Sequence, residues 1–235
     1  MSGRLYALGI GPGASDLLTV RAARILGNLD VLYAPAGRKG GDSLALSIVR
    51  EYLGAQTEIR CTHFPMSADN DEKSAVWDEV AAALVAETEA GKQVGFITLG
   101  DAMLFSTWVF LLQRIGRPDW LEIVPGVTSF AAIAARSQMP LAMEQQSLAV
   151  VSCTAPEEEI RRALANHQSL VLMKVYGRFA RIKALLAEAG LLECALMMSE
   201  ATLPGEQCWR QLDELADDQP LPYFSTILVN KGVRV

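Results

Sequence analysis

Three glycine-bearing segments of this chain are places where backbone could meet a ligand. The first, Gly9-Ile-Gly11-Pro12-Gly13-Ala14, fits the spacing G-x-G-x-x-G/A. Glycine admits close backbone approach there, and the helix expected beyond it favours an anion. Dinucleotide binding is one reading and a tight structural turn another. Against the first, Pro12 removes an amide donor that would face a pyrophosphate, and Asp30 begins the next apolar run instead of ending it. The second segment, TLGDAMLFST over 98–107, sets Gly100 and the Asp101 carboxylate just after an apolar run. That carboxylate either meets a ligand or caps the following helix. The third, Val124-Pro-Gly-Val-Thr128-Ser129, places two hydroxyls before a helix, as ligand contacts or as N-caps. Three such loops at three strand ends describe one pocket at one sheet edge and leave its ligand open.

Positioning these loops requires alternating strands and helices. Strand-length apolar runs fall at 4–10, 30–35, 94–99 and 121–126. Helical patterns occupy 16–26, stopped by Gly27, then 72–90, stopped by Gly91, then 107–115 and 129–136. The stretch 137–147 contains Pro140 and a polar Glu-Gln-Gln run and reads as a linker. Beyond it strands are expected at 147–153, 169–175, 194–199 and 222–229, with helices at 156–166 and 178–189. The pattern is α/β, with an N-terminal αβ domain over 1–140 and a C-terminal one over 147–235.

Composition fits this. The 235 residues are 51% apolar and 20% charged, too hydrophobic for disorder, and no apolar run is long enough to span a membrane. The N-terminal apolar stretch runs into the first glycine loop and reads as a strand instead of a signal peptide, so a cytoplasmic protein is expected. The net charge of −6 is shared by both halves, which gives no support to nucleic-acid binding. Cys61, Cys153, Cys194 and Cys208 form no CxxC pair, and His63 and His167 lie near none of a zinc site's usual spacings; no protein-bound metal is expected.

Taken together, the motifs resemble the tetrapyrrole methylase family. The likeness rests on Gly9-Ile-Gly-Pro-Gly-Ala-Ser-Asp-Leu-Leu-Thr19, Gly100-Asp101, Pro125-Gly-Val-Thr-Ser129, Leu172-Met-Lys174 and Pro222-Tyr-Phe-Ser-Thr226, and so spans almost the whole chain. Segments 34–41, 100–107 and 223–226 are similar to the branch that methylates C20 of the precorrin-2 ring, above all in its cobalt form. One departure is Ala102, where the family commonly has proline, a change that leaves this turn less stiff.

The resemblance implies two αβ domains with a ligand cleft between them, a homodimer, and S-adenosylmethionine as methyl donor. By carry-over, Pro12, Gly100, Asp101, Met103, Leu104, Thr128, Ser129, Met173, Ser225 and Thr226 surround the donor; Met173 read alone is a core residue. The implied reaction is C20 methylation of cobalt-factor II in anaerobic cobalamin biosynthesis, with cobalt only in the substrate. Metal-free precorrin-2 or another ring position are alternatives, as are an NAD-dependent oxidoreductase and a non-catalytic tetrapyrrole carrier. The acceptor carries many carboxylates, for which Arg38, Lys39, Lys174 and Arg178 are the candidate cations, joined by Arg181. Arg178 and Arg181 also read as a solvated helix face. Methyl transfer needs positioning more than a nucleophile, so no triad is expected. A base could assist proton loss, with Asp101, His63 and Tyr223 as candidates.

Overall fold

The structure is a computed structural model describing residues 3–36, 43–64 and 70–234. Its contacts divide the chain into Met1–Thr128 and Ser129–Val235.

The first unit is a parallel sheet of β1 (Arg4–Gly9), β2 (Val31–Ala36), β3 (Glu58–His63), β4 (Gln93–Thr98) and β5 (Leu121–Val124), in the order β3-β2-β4-β1-β5. Helices α1 (Val20–Leu26) and α2 (Leu44–Val49) cover one face, and α3 (Asn70–Glu89) and α4 (Trp108–Ile115) the other. Side-chain alternation sorts the core accordingly. Leu8, Leu32, Ala34 and Ile97 pack with α1 and α2, whereas Leu5, Ala7, Val31, Val94 and Phe96 pack with α3 and α4. A strand covered on both faces must be apolar throughout, which is why β1, β2 and β4 read as continuous runs.

Two local features depart from the sequence reading. The helix expected over 16–26 is broken: Ser15–Leu17 is a 3-10 turn, Leu18 is extended, and Thr19 starts α1 by accepting a 3.1 Å hydrogen bond from the Ala22 amide. Strand β3 and helix α2 carry no signal in the expectations above. Strand β3 is an edge strand whose Glu58, Ile59 and Cys61 are exposed, so its apolar alternation is lost.

The second unit is a mixed sheet of β6 (Leu148–Ser152), β7 (Ser169–Met173), β8 (Ala195–Ser199), β9 (Gln207–Trp209) and β10 (Ser225–Asn230), ordered β6-β7-β10-β8-β9. The last strand inserts antiparallel between β7 and β8. Helices α6 (Glu157–Asn166) and α7 (Phe179–Glu188) pack on one face against Leu170, Leu172, Met197, Ile227 and Val229. Helix α5 (Ser129–Ser137) packs on the other, where Ile133 meets Val171, Leu196, Met198 and Leu228. This packing is why the contact boundary falls at 128/129, ahead of the residue 140 expected from composition. The short α5 has its apolar partners in the second sheet.

Candidate functional site

In the first unit β4, β1 and β5 are neighbours, so the loops leaving their carboxyl ends lie side by side. The backbone joins them. Gly11 donates to the Gly100 carbonyl at 3.2 Å and Gly100 donates back to that of Gly11 at 2.7 Å, forming an isolated bridge. The approach is close enough to demand glycine. A Cβ at Gly9 would lie 2.6 Å from the Gly126 nitrogen, and one at Gly126 would lie 2.1 Å from the Gly100 oxygen. Gly100 differs from both. Its φ is +66°, and a Cβ there would meet nothing within 4 Å, so its backbone faces open space.

Asp101 completes the junction. One carboxylate oxygen accepts from the Gly126 amide at 2.9 Å and the other from the Met103 amide at 2.8 Å. It does not cap the next helix, whose N-cap is Thr107; the Ser106 hydroxyl accepts from the Trp108 amide at 3.0 Å and lies 3.1 Å from that of Thr98. Ala102 is fully buried in the α3/α4 core, so packing fixes this turn where proline would have stiffened it. Beside the junction Met103 is exposed, Leu104, Pro12 and Thr128 are half-buried, and Phe105 holds a φ of +49°. The structure thus brings Pro12, Gly100, Asp101, Met103, Leu104 and Thr128 to one edge of one sheet, while Ser129 begins α5 in the second unit.

The remaining predicted residues occupy one end of the mixed sheet. There the carboxyl ends of β6, β7 and β8 meet the amino end of β10, with Thr226 paired to Met173 and Ser225 to Ser199. Met173 packs against the α5-side core. Ser225 and Thr226 are buried. Lys174 follows Met173 with a φ of +61° and is exposed. Arg178 donates through one nitrogen to the Cys153 and Ala155 carbonyls at 2.6 and 3.3 Å, which ties α7 to the turn after β6. Arg181 binds Glu157 and Glu188, a structural reason for a cation that the helix dipole alone does not favour. Arg38 and Lys39 lie outside the described residues.

The candidate base His63 and the acid Asp30, which counted against dinucleotide binding, are placed elsewhere. His63 ends β3, two strand spacings or about 10 Å from β4, with its Nδ1 3.4 Å from the Ala36 carbonyl. Asp30 accepts from the Gln93 amide at 2.7 Å, at the amino end of β4, so it cannot reach a ribose beside the glycine loops at the other end. Among the described residues no group of three His, Cys, Asp or Glu side chains could hold a metal, and no helix is long and apolar enough to cross a membrane. The sequence reading missed the junction made by Gly9, Gly126 and Asp101, and the contact that joins Tyr176 to the candidate base Tyr223 and to Phe224. The glycines were a visible signal; the side-chain contacts were not.

A family model for the tetrapyrrole (corrin/porphyrin) methylases matches residues 4–216. The chain belongs to this family. The methylase is 84% identical to a cobalt-precorrin-2 C(20)-methyltransferase of Salmonella typhimurium over 98% of each chain. It is 30% identical to a precorrin-2 C(20)-methyltransferase of Sinorhizobium sp, over 97% of this chain and 95% of the relative. Among solved structures it matches a Thermus thermophilus uroporphyrin-III C-methyltransferase complexed with S-adenyl homocysteine. The TM-score is 0.67 at 25% identity, covering 97% of this chain and 92% of that one. A cobalt precorrin-4 methyltransferase shares the fold at a TM-score of 0.74 and 23% identity, covering 97% and 94%.

Proposed function

We propose that this methylase transfers a methyl group from S-adenosylmethionine to C20 of the cobalt-bearing precorrin-2 ring in cobalamin biosynthesis, as a cytoplasmic homodimer. The observation that carries the reading is the 84% identity to a cobalt-precorrin-2 C(20)-methyltransferase along both chains. The first sheet's edge suits the donor. The open space beside the Gly100 Cα leaves room for a ligand against the backbone, and Met103 and Leu104 offer apolar surface for an adenine.

S-adenosylmethionine, when bound, supplies a methyl group on a positively charged sulfur. In the transfer the C20–methyl bond forms as the methyl–sulfur bond breaks, its electron pair stays on sulfur, and C20 gives up its proton. The chain's task is to hold the acceptor carbon in line and to exclude water. Pro12, Gly100, Met103, Leu104 and Thr128 are assigned to the donor from the first unit, with Ser129, Met173, Ser225 and Thr226 from the second. Asp101 holds the loops, and its two oxygens already accept backbone amides. Arg38, Lys39 and Lys174 are assigned to the acceptor's carboxylates.

The test is methyl transfer to the cobalt and the metal-free rings by the purified protein. Turnover of the cobalt form in preference to metal-free precorrin-2 supports the reading, and the reverse preference moves the protein to the metal-free branch. Replacing Arg38 and Lys39 together by alanine is expected to raise the acceptor KM and leave donor affinity unchanged. Equal weakening of both ligands would remove those residues from acceptor binding.

A further inference from the structure

The end of the mixed sheet that carries Met173 and Thr226 also presents three large rings to solvent. Tyr176 is 55% exposed, Tyr223 51% and Phe224 43%. They touch one another. The Tyr176 and Tyr223 centroids are 6.1 Å apart at 56°, and those of Tyr223 and Phe224 are 5.1 Å apart at 82°, so the rings form a corner. Leaving so much aromatic surface in water forgoes the gain that burial would give.

The corner is nonetheless firmly held. The Ser225 hydroxyl donates to the Pro222 carbonyl at 2.5 Å, and because its hydrogen is committed there, Ser199 donates to Ser225 at 2.6 Å. Both serines are buried. The Glu200 amide donates to the Phe224 carbonyl at 2.9 Å, and the Val175 amide to that of Ser225 at 3.4 Å. The strands that end here turn through Lys174 at φ +61° and Glu200 at φ +50°, left-handed conformations that cost side-chain-bearing residues energy and concentrate at functional positions.

We infer that this corner is the seat of the acceptor's flat conjugated ring. The inference rests on the function proposed above and names the protein surface that function uses. A broad π-system lies on the face of one ring and meets the edge of its perpendicular neighbour, the two arrangements aromatic groups prefer. The Tyr176 and Tyr223 hydroxyls supply donors for the ring's peripheral carboxylates. A second copy of the chain is the poorer occupant. Three half-exposed rings offer about 300 Å², against the roughly 800 Å² per partner that a stable interface buries.

The test measures the acceptor KM at saturating S-adenosylmethionine, and the acceptor Kd from its absorbance change with S-adenosylhomocysteine present, using the cobalt form of precorrin-2 as probe. Tyr176→Ala and Tyr223→Ala are each expected to raise both constants about tenfold and leave donor affinity within about twofold, while Tyr223→Phe, which keeps the ring and loses only the hydroxyl donor, raises them by about threefold. Where an alanine variant fails to fold, Tyr223→Leu replaces it. Folded variants with unchanged acceptor KM and Kd overturn the inference. So does an equal loss of donor affinity, which gives the corner to the donor, or dissociation of an oligomer, which gives it to a second copy. If the wild-type protein binds the ring without methylating it, the proposed function fails while the binding measurements still decide the corner.

Discussion

Asp101 is committed before any ligand arrives. Its two oxygens hold the amides of Gly126 and Met103, so the loops after β4 and β5 move as one piece. Asn in its place keeps one acceptor but turns an amide group toward the other donor. Asp101→Asn is therefore expected to cost about 1–3 kcal/mol. The amides of Gly126 and Met103 should exchange faster in the ligand-free protein, and S-adenosylmethionine should bind more weakly with kcat largely kept. Weaker donor binding with unchanged amide exchange would make the carboxylate a direct donor contact. The sequence makes this residue conspicuous, since an acid after a glycine at a strand end stands out, but not its task. Both of its partners are backbone amides, one of them 25 residues away. Arg178 and Arg181 teach the same lesson, because their clustering is visible in the sequence and their partners, the turn after β6 and Glu157, are visible only once the sheet is assembled.

Helices α6 and α7 are pinned by charge as well as by core packing. Arg181 and Arg161 together hold the Glu157 carboxyl well below the usual range, at about 2, with Arg181 the larger influence. The same two arginines bind Glu188 and lower its carboxyl too. A carboxyl depressed in the folded state adds stability above its unfolded value near 4.5 and loses it as pH falls toward 2. Glu157→Gln should thus flatten the decline in melting temperature between pH 4.5 and 2, and added salt should flatten the wild-type decline in the same way. An identical pH profile in the variant would remove this network from the acid response. Element by element, legibility follows burial. The doubly covered β1, β2 and β4 announce themselves as apolar runs and the glycine stops mark helix ends, whereas the Thr19 start of α1 is hidden inside the continuous helical pattern over 16–26. Strand β3, at a sheet edge, and the three-residue β9 have too few buried positions to show a period. The antiparallel insertion of β10 leaves no mark at all, since a strand's direction is set by its partners.

For the whole molecule the competing functions differ in which ligand stabilises the fold. A ligand at 100 times its Kd adds about 2.7 kcal/mol, enough to raise the melting temperature by roughly 5 °C in a chain of this size. S-adenosylmethionine and S-adenosylhomocysteine are each expected to do so and NAD is not. Asp30, the one acid that dinucleotide binding would require, is bonded at the wrong end of the sheet. A shift with NAD alone would reverse the donor assignment. The order of strands in the second sheet also governs how the protein is made. Neither β7 nor β8 has its central partner until Ser225–Asn230 has left the ribosome, whereas every strand of the first sheet precedes residue 125. During synthesis the first sheet closes while the second still waits, exposing apolar strands. A translation stall between 200 and 225 would therefore release a chain with one folded unit and one that chaperones must shield.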